Sequence, residues 1–258
     1  MRLASGEALL LEVADLQDGD RIVGFLTRRE GRKRGAARGA RRRYSRFAGQ
    51  LQPLAKVHVA WLERDDRELV RVREVEMLRP AHRLYGDLEG ILLGCYLAEQ
   101  VQVFAPENDG DEVLFRLLDS TVDALLAGAD RGVAARYFEC WLLRLAGLLP
   151  SARECSACGG DLGGGAVWPR GGEGLLCRRC GGGPASLAVD PEVLAFLLLV
   201  ARTALPALAA DGVPTAVLGR VERLCGEIRR GFLHGELKSY EVMQRTLAGV
   251  APGGEGGG

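Results

Sequence analysis

Two short cysteine pairs, Cys155-x2-Cys158 and Cys177-x2-Cys180, stand eighteen residues apart in a stretch, residues 150 to 186, that is rich in glycine and poor in apolar side chains. Their spacing matches a four-thiolate zinc site built from two knuckles, each turn bringing two sulfurs to about 2.3 Å from one ion. Gly159, Gly160, Gly181 and Gly182 follow the pairs and permit the tight backbone this requires. The alternatives are four unrelated buried cysteines or a redox pair, and no βαβ context for a redox motif is present. Four thiolates close the coordination sphere, so one structural Zn2+ is expected, standing in for a core that the segment is too polar to build. Cys95, Cys140 and Cys225 sit on apolar faces of helical stretches and read as core residues.

On either side of that segment the apolar period is helical, whereas before residue 80 it is that of strands. Glu7 to Ala14, Arg21 to Thr27, Leu54 to Leu62 and Glu68 to Glu76 are strand candidates, with turns at Asp18-Gly-Asp20, Glu30-Gly31 and Glu63 to Arg67. Four or five short strands in 80 residues, with no helix between them, point to a small closed barrel, most commonly an OB-fold. From Leu84 the spacing becomes helical, giving three helices around Leu88, Val113 and Tyr137, punctuated at Pro106 to Asp111 and Gly128 to Gly132. Asp190 as N-cap and Pro191 in the first turn open another over Val193 to Leu205. Helices then follow from about Thr215 to His234 and, briefly, after Ser239. The expected class is α+β with several domains: an OB-fold at 1–80, a helical domain at 81–149 and 187–250, the zinc module inserted at 150–186, and a disordered tail at 251–258.

The net charge is zero, with 34 basic and 34 acidic side chains, yet the signs are segregated. Residues 1 to 80 hold 18 basic and 12 acidic side chains. Between Arg21 and Arg46 lie Arg21, Arg28, Arg29, Arg32, Lys33, Arg34, Arg38, Arg41, Arg42, Arg43 and Arg46, against the single acid Glu30. A charge run is usually a solvated face, but this many like charges repel one another unless a polyanion is near. The interleaved Gly35, Ala36, Ala37, Gly39 and Ala40, with Tyr44 and Phe47 as rings for base stacking, favour nucleic acid in the groove of the barrel. The interface expected is Arg21, Arg28, Arg32, Lys33, Arg34, Arg38, Arg41, Arg42, Arg43, Tyr44 and Arg46.

Catalytic constellations are missing. His58, His82 and His234 are scattered, and neither a GxSxG, an HExxH nor a Walker loop occurs, so the chain reads as a non-enzyme. The longest apolar run, Val193 to Ala201, is well short of the roughly 20 residues that cross a bilayer. Acidic residues within the first sixteen argue against a signal peptide, so a cytoplasmic, nucleoid-associated protein with no membrane partner is expected.

In this order of parts the chain resembles the RecO family of bacterial recombination mediators. The resemblance rests on Glu7-Ala8, Asp18-Gly-Asp-Arg21, Leu26-Thr27, Gly31-Arg32, Gly39-Ala-Arg-Arg42, Ser45-Arg46-Phe47, Leu51-Gln52-Pro53 and Leu237-Lys238-Ser239, and covers residues 7 to about 247. It implies a protein that binds single- and double-stranded DNA and anneals complementary strands. It also implies work with a partner, RecR, to load recombinase onto strands coated by single-strand-binding protein. The four cysteines, which not every member keeps, imply a metal-loaded module, here unusually rich in glycine. Two other readings stand beside it: an RNA-binding or ribosome-associated protein whose barrel and zinc ribbon grip RNA, and a scaffold whose barrel binds only protein.

Overall fold

The structure, a computed structural model, describes residues 1–64, 68–181, 183 and 186–250. Asp65, Asp66 and Arg67 of the expected turn, Gly182, and the tail expected to be disordered lie outside the described residues. The elements are β1 (Arg2–Asp15), β2 (Arg21–Thr27), β3 (Gly31–Ala37), β4 (Lys56–Glu63), β5 (Val70–Arg79), α1 (Leu88–Phe104), α2 (Glu112–Leu126) and α3 (Arg131–Leu145). They continue with β6 (Ala166–Trp168), β7 (Leu187–Val189), α4 (Pro191–Val200), α5 (Leu205–Asp211), α6 (Thr215–Leu233) and α7 (Lys238–Val250). Contacts group the chain into two compact units, Met1–Phe115 with the described residues from Glu236 onward, and Arg116–Gly235.

In the first unit a mixed sheet pairs in the order β1-β2-β3-β5-β4, and β4 returns to β1, so the ladder closes on itself. All neighbours are antiparallel except β3 and β5. One long strand makes the closure possible. β1 pairs with β4 over Arg2 to Leu9 and with β2 over Ala8 to Asp15, and a bulge between Leu10 and Glu12 bends it from one partner to the other. Its middle, Ala8 to Leu11, is buried on both faces because α1 packs on β1. Inside, Phe25 and Trp61 meet edge to face at 5.6 Å among Val23, Val57, Val59 and Val72.

The basic stretch itself contains a strand that the sequence does not announce. β3 reads Gly-Arg-Lys-Arg-Gly-Ala-Ala, with no β-branched or aromatic residue. It is a strand because β2 and β5 supply its ladders, and because Gly31, Lys33, Gly35 and Ala37 turn inward while Arg32, Arg34 and Ala36 turn outward.

α1 and α7 complete this unit. Asp87 caps α1 by accepting from the Gly90 N–H at 2.8 Å. The start of α7 is capped across space instead. The Glu99 carboxylate of α1 accepts from the N–H groups of Lys238 (3.2 Å) and Ser239 (2.7 Å) and from the Ser239 hydroxyl.

In the second unit α3 packs on α4, α5 and α6. Phe138, Cys140, Leu142, Val221, Leu224, Cys225 and Ile228 are buried there. Arg136, also buried, is held by Glu139 at 2.6 Å and Glu222 at 2.7 Å, a paired charge rather than an isolated one. Two expectations for the following helix are corrected. Asp190 makes no cap hydrogen bond, since its carboxylate pairs with Arg220 at 3.0 Å. The single helix expected to Leu205 stops at Val200 and restarts as α5, because the Pro206 ring has no N–H and would clash with the carbonyl four residues back. Among the described residues, no helix is long and apolar enough to cross a membrane.

Candidate metal centre and nucleic-acid interface

The sulfurs of Cys155, Cys158, Cys177 and Cys180 all lie within 4.8 Å of one another, and those of Cys158 and Cys177 are 3.9 Å apart. Sulfurs at about 2.3 Å from one tetrahedral ion stand about 3.8 Å apart, so the donor set fits a closed thiolate centre. Each knuckle folds through its own amides: Gly159 N–H donates to the Cys155 carbonyl, and the N–H groups of Cys180 and Gly181 donate to that of Cys177. Gly159 has φ +68°, the left-handed conformation glycine favours. Gly181 is required for a different reason, since a Cβ there would stand 2.0 Å from Val167 Cγ2. Val167 and Leu176 exchange backbone hydrogen bonds at 2.8 and 2.9 Å, and the Ser156 N–H donates to the Leu175 carbonyl, tying the knuckles together. Beside the sulfurs sit the buried Leu162, Ala166, Trp168 and Leu175, so the segment has a small core of its own rather than none.

The thiols disagree about ionisation. Backbone N–H groups, that of Cys177 first, hold Cys155 down to about 6, while the Cys158 and Cys177 side chains push Cys180 up to about 12. Adjacent thiolates repel, and a cation among them removes the conflict. The Arg179 guanidinium hydrogen-bonds Cys177 and Cys158, adding positive charge from outside. Of the other cysteines, Cys140 and Cys225 are core residues as expected, 3.9 Å apart. Cys95 is exposed, on the side of α1 that nothing in its own unit covers.

The basic residues divide by what they already hold. Arg21 pairs with Asp15 at 3.0 Å, and Arg28 with Glu7 (2.9 Å) and Glu112 (3.0 Å) while lying over the Phe115 ring. Arg32 pairs with Glu107. Lys33 is buried, with its amine 2.7 Å from Glu63 and 3.4 Å from Glu30, and together with Arg2 it holds the Glu63 carboxyl below its ordinary range. Arg34 is half exposed, 3.9 Å from Glu12, and Arg41 lies 3.4 Å from Asp15. Arg29, Arg38, Arg42, Arg43 and Arg46 are exposed and have no carboxylate partner among the described residues. Arg71, outside the expected set, stands outward on β5 opposite Ala36, a neighbour that no local sequence pattern signals.

Four of these free cations ride on a loop whose backbone is fastened at both ends. Gly39 N–H donates to Asp20 Oδ1 at 2.7 Å and Arg41 N–H to the Gly19 carbonyl at 2.9 Å. Successive turns then run from Gly39 to Gln50. The Gln50 side chain accepts from Met77 N–H at 2.8 Å, and that of Gln52 from Ala81 N–H at 2.7 Å. The two rings part company here. Tyr44 is 89% exposed, with the Arg43 guanidinium 5.6 Å from its centroid, whereas Phe47 is 2% exposed. Phe47 therefore anchors the loop and offers no stacking face. Tyr44→Ala is expected to weaken single-strand binding by about 1–3 kcal/mol with an unchanged salt slope. Phe47→Ala is expected to cost about 3–5 kcal/mol of stability in denaturant titration.

Residues 1–81 match the family described as Recombination protein O N terminal, and residues 85–241 the one described as Recombination protein O C terminal. The DNA repair protein RecO of Anaeromyxobacter sp. (strain K) is 34% identical over 246 residues, covering 95% of each chain. That of Pelotomaculum thermopropionicum is 31% identical over 257 residues, 99% of this chain and 98% of the other. That of Geobacter sulfurreducens is 36% identical over 185 residues, 71% of this chain and 75% of the other. With both halves of the sequence matched and the four-cysteine cluster assembled between them, the chain belongs to the RecO family of DNA repair proteins.

Proposed function

We propose that this chain is a non-enzymatic DNA repair and recombination mediator. It binds single- and double-stranded DNA on the basic face of an OB-type barrel and anneals complementary strands. With RecR it helps load recombinase onto strands coated by single-strand-binding protein, in the cytoplasm, on the nucleoid. The observation that carries this reading is the row Arg38, Arg42, Arg43 and Arg46, exposed, free of carboxylate partners among the described residues and mounted on an anchored loop of a RecO-family barrel. Two strands resist annealing because their phosphates repel. Guanidiniums that neutralise both backbones lower that barrier without reading bases. The cluster Cys155, Cys158, Cys177 and Cys180 holds one zinc ion, which supplies folding energy to its module and takes no part in the contact with DNA. The sequence beyond residue 80, acidic in sum, offers its surface to protein partners.

Binding to single-stranded DNA, duplex DNA and structured RNA at one salt concentration tests the reading. Both DNA forms should bind, and annealing should speed up when protein is added. Tighter binding to structured RNA than to either DNA would favour the RNA-binding alternative, and no binding to any of the three would favour the protein scaffold.

A further inference from the structure

In the parallel ladder between β3 and β5, Gly35 faces Val70, Ala36 faces Arg71 and Ala37 faces Val72. The strands approach so closely that a Cβ on Gly35 would stand 2.8 Å from Cγ2 of both valines. With only Ala36 projecting outward between Arg34 and Arg38, the outer side of this seam is a trough. It forms an open groove of about 620 Å³ whose lining includes Ala36, Arg38, Arg64, Glu68, Leu69 and Arg71. Arg38, Arg64 and Arg71 have no carboxylate partner among the described residues, and Leu69, 41% exposed, gives the groove an apolar wall.

Three guanidiniums on one concave surface with a single acid beside them raise the local potential and attract an anion. Their spread along two strands, rather than around one point, suits a chain of phosphates, and the apolar wall suits a sugar or base edge. Arg38 closes the argument, since it lines the groove and also begins the loop that carries Arg42, Arg43 and Arg46.

We propose that the β3–β5 groove is a second phosphate track for single-stranded DNA, held by Arg38, Arg64 and Arg71 and continuous with the loop cations. This inference rests on the DNA-binding reading and adds two contacts, Arg64 and Arg71, that lie outside the basic stretch.

The test is titration of the full chain with a labelled oligothymidylate at several salt concentrations. Each lost single-strand phosphate contact flattens the slope of log affinity against log salt by about 0.7, so Arg64→Gln with Arg71→Gln should flatten it by about 1.4. At 0.1 M salt the same arithmetic gives a loss on the order of 25-fold. Glu68→Gln should bind more tightly than the parent, a gain that misfolding cannot produce. Parental affinity and slope in the double variant, or no gain from Glu68→Gln, would overturn the groove. If variants of Arg42 and Arg43 still weakened binding, the DNA-binding reading would survive that result. A parent chain that fails to bind the oligothymidylate would overturn both.

Discussion

Cys177→Ser should release the metal and unfold residues 150 to 186 while leaving most of the DNA affinity in place. The balance is decided by size. The buried Leu162, Trp168 and Leu175 contribute roughly 1.5–3 kcal/mol each. Fixing the backbone costs about 1–2 kcal/mol per residue over a much longer stretch. The deficit must come from the ion, whose apparent binding energy in such modules is roughly 10 kcal/mol or more. Elemental analysis should find one zinc per parent chain and well under one in the variant, with hydrogen exchange accelerating throughout the segment. DNA binding should persist because the loop cations belong to the other compact unit. A parent without zinc, or a variant of unchanged thermal stability, would remove the structural metal from the account.

That centre was legible in the sequence because its information is local: two turns, each placing two sulfurs, with glycines where the chain doubles back. β2 was legible to the residue for a similar reason, since Arg21-Ile-Val-Gly-Phe-Leu-Thr27 carries its own propensity and its own preceding turn. β3 was not, because nothing in Gly31–Ala37 prefers a strand and its ladders come from β2 and from β5, more than thirty residues away. Distance also hid the division among the cations. Arg28 and Arg32 look like Arg42 and Arg43 until Glu112 and Glu107 fold back onto them from beyond α1. Two short strings behind the family resemblance acquire physical reasons: Gln52 caps the chain at Ala81, and Ser239 receives the Glu99 carboxylate. Tyr44 and Phe47 show the limit most plainly. Three residues apart in the same basic stretch, one ring is on the surface and the other is inside, and only the turns between them decide which.

The division among the cations makes the largest functional prediction. Arg42, Arg43 and Arg46 changed together to Ala should lower single-strand affinity on the order of a hundredfold at 0.1 M salt and flatten the salt slope by about 2.1, as three lost phosphate contacts would. The loss should be the same for every base sequence, because guanidinium contacts to phosphates carry no code. Removing three cations also weakens the general positive field of the barrel, so a control with the same charge change is needed. Arg21, Arg28 and Arg32 changed together to Gln provide it. Each of these already holds a carboxylate, Asp15, Glu7 with Glu112, and Glu107 respectively, and would have to give it up to meet a phosphate. If contact is what matters, the first set abolishes annealing and the second leaves the salt slope near that of the parent. Equal losses from the two sets, with folding intact in both, would mean that a diffuse field rather than the loop row gathers the DNA.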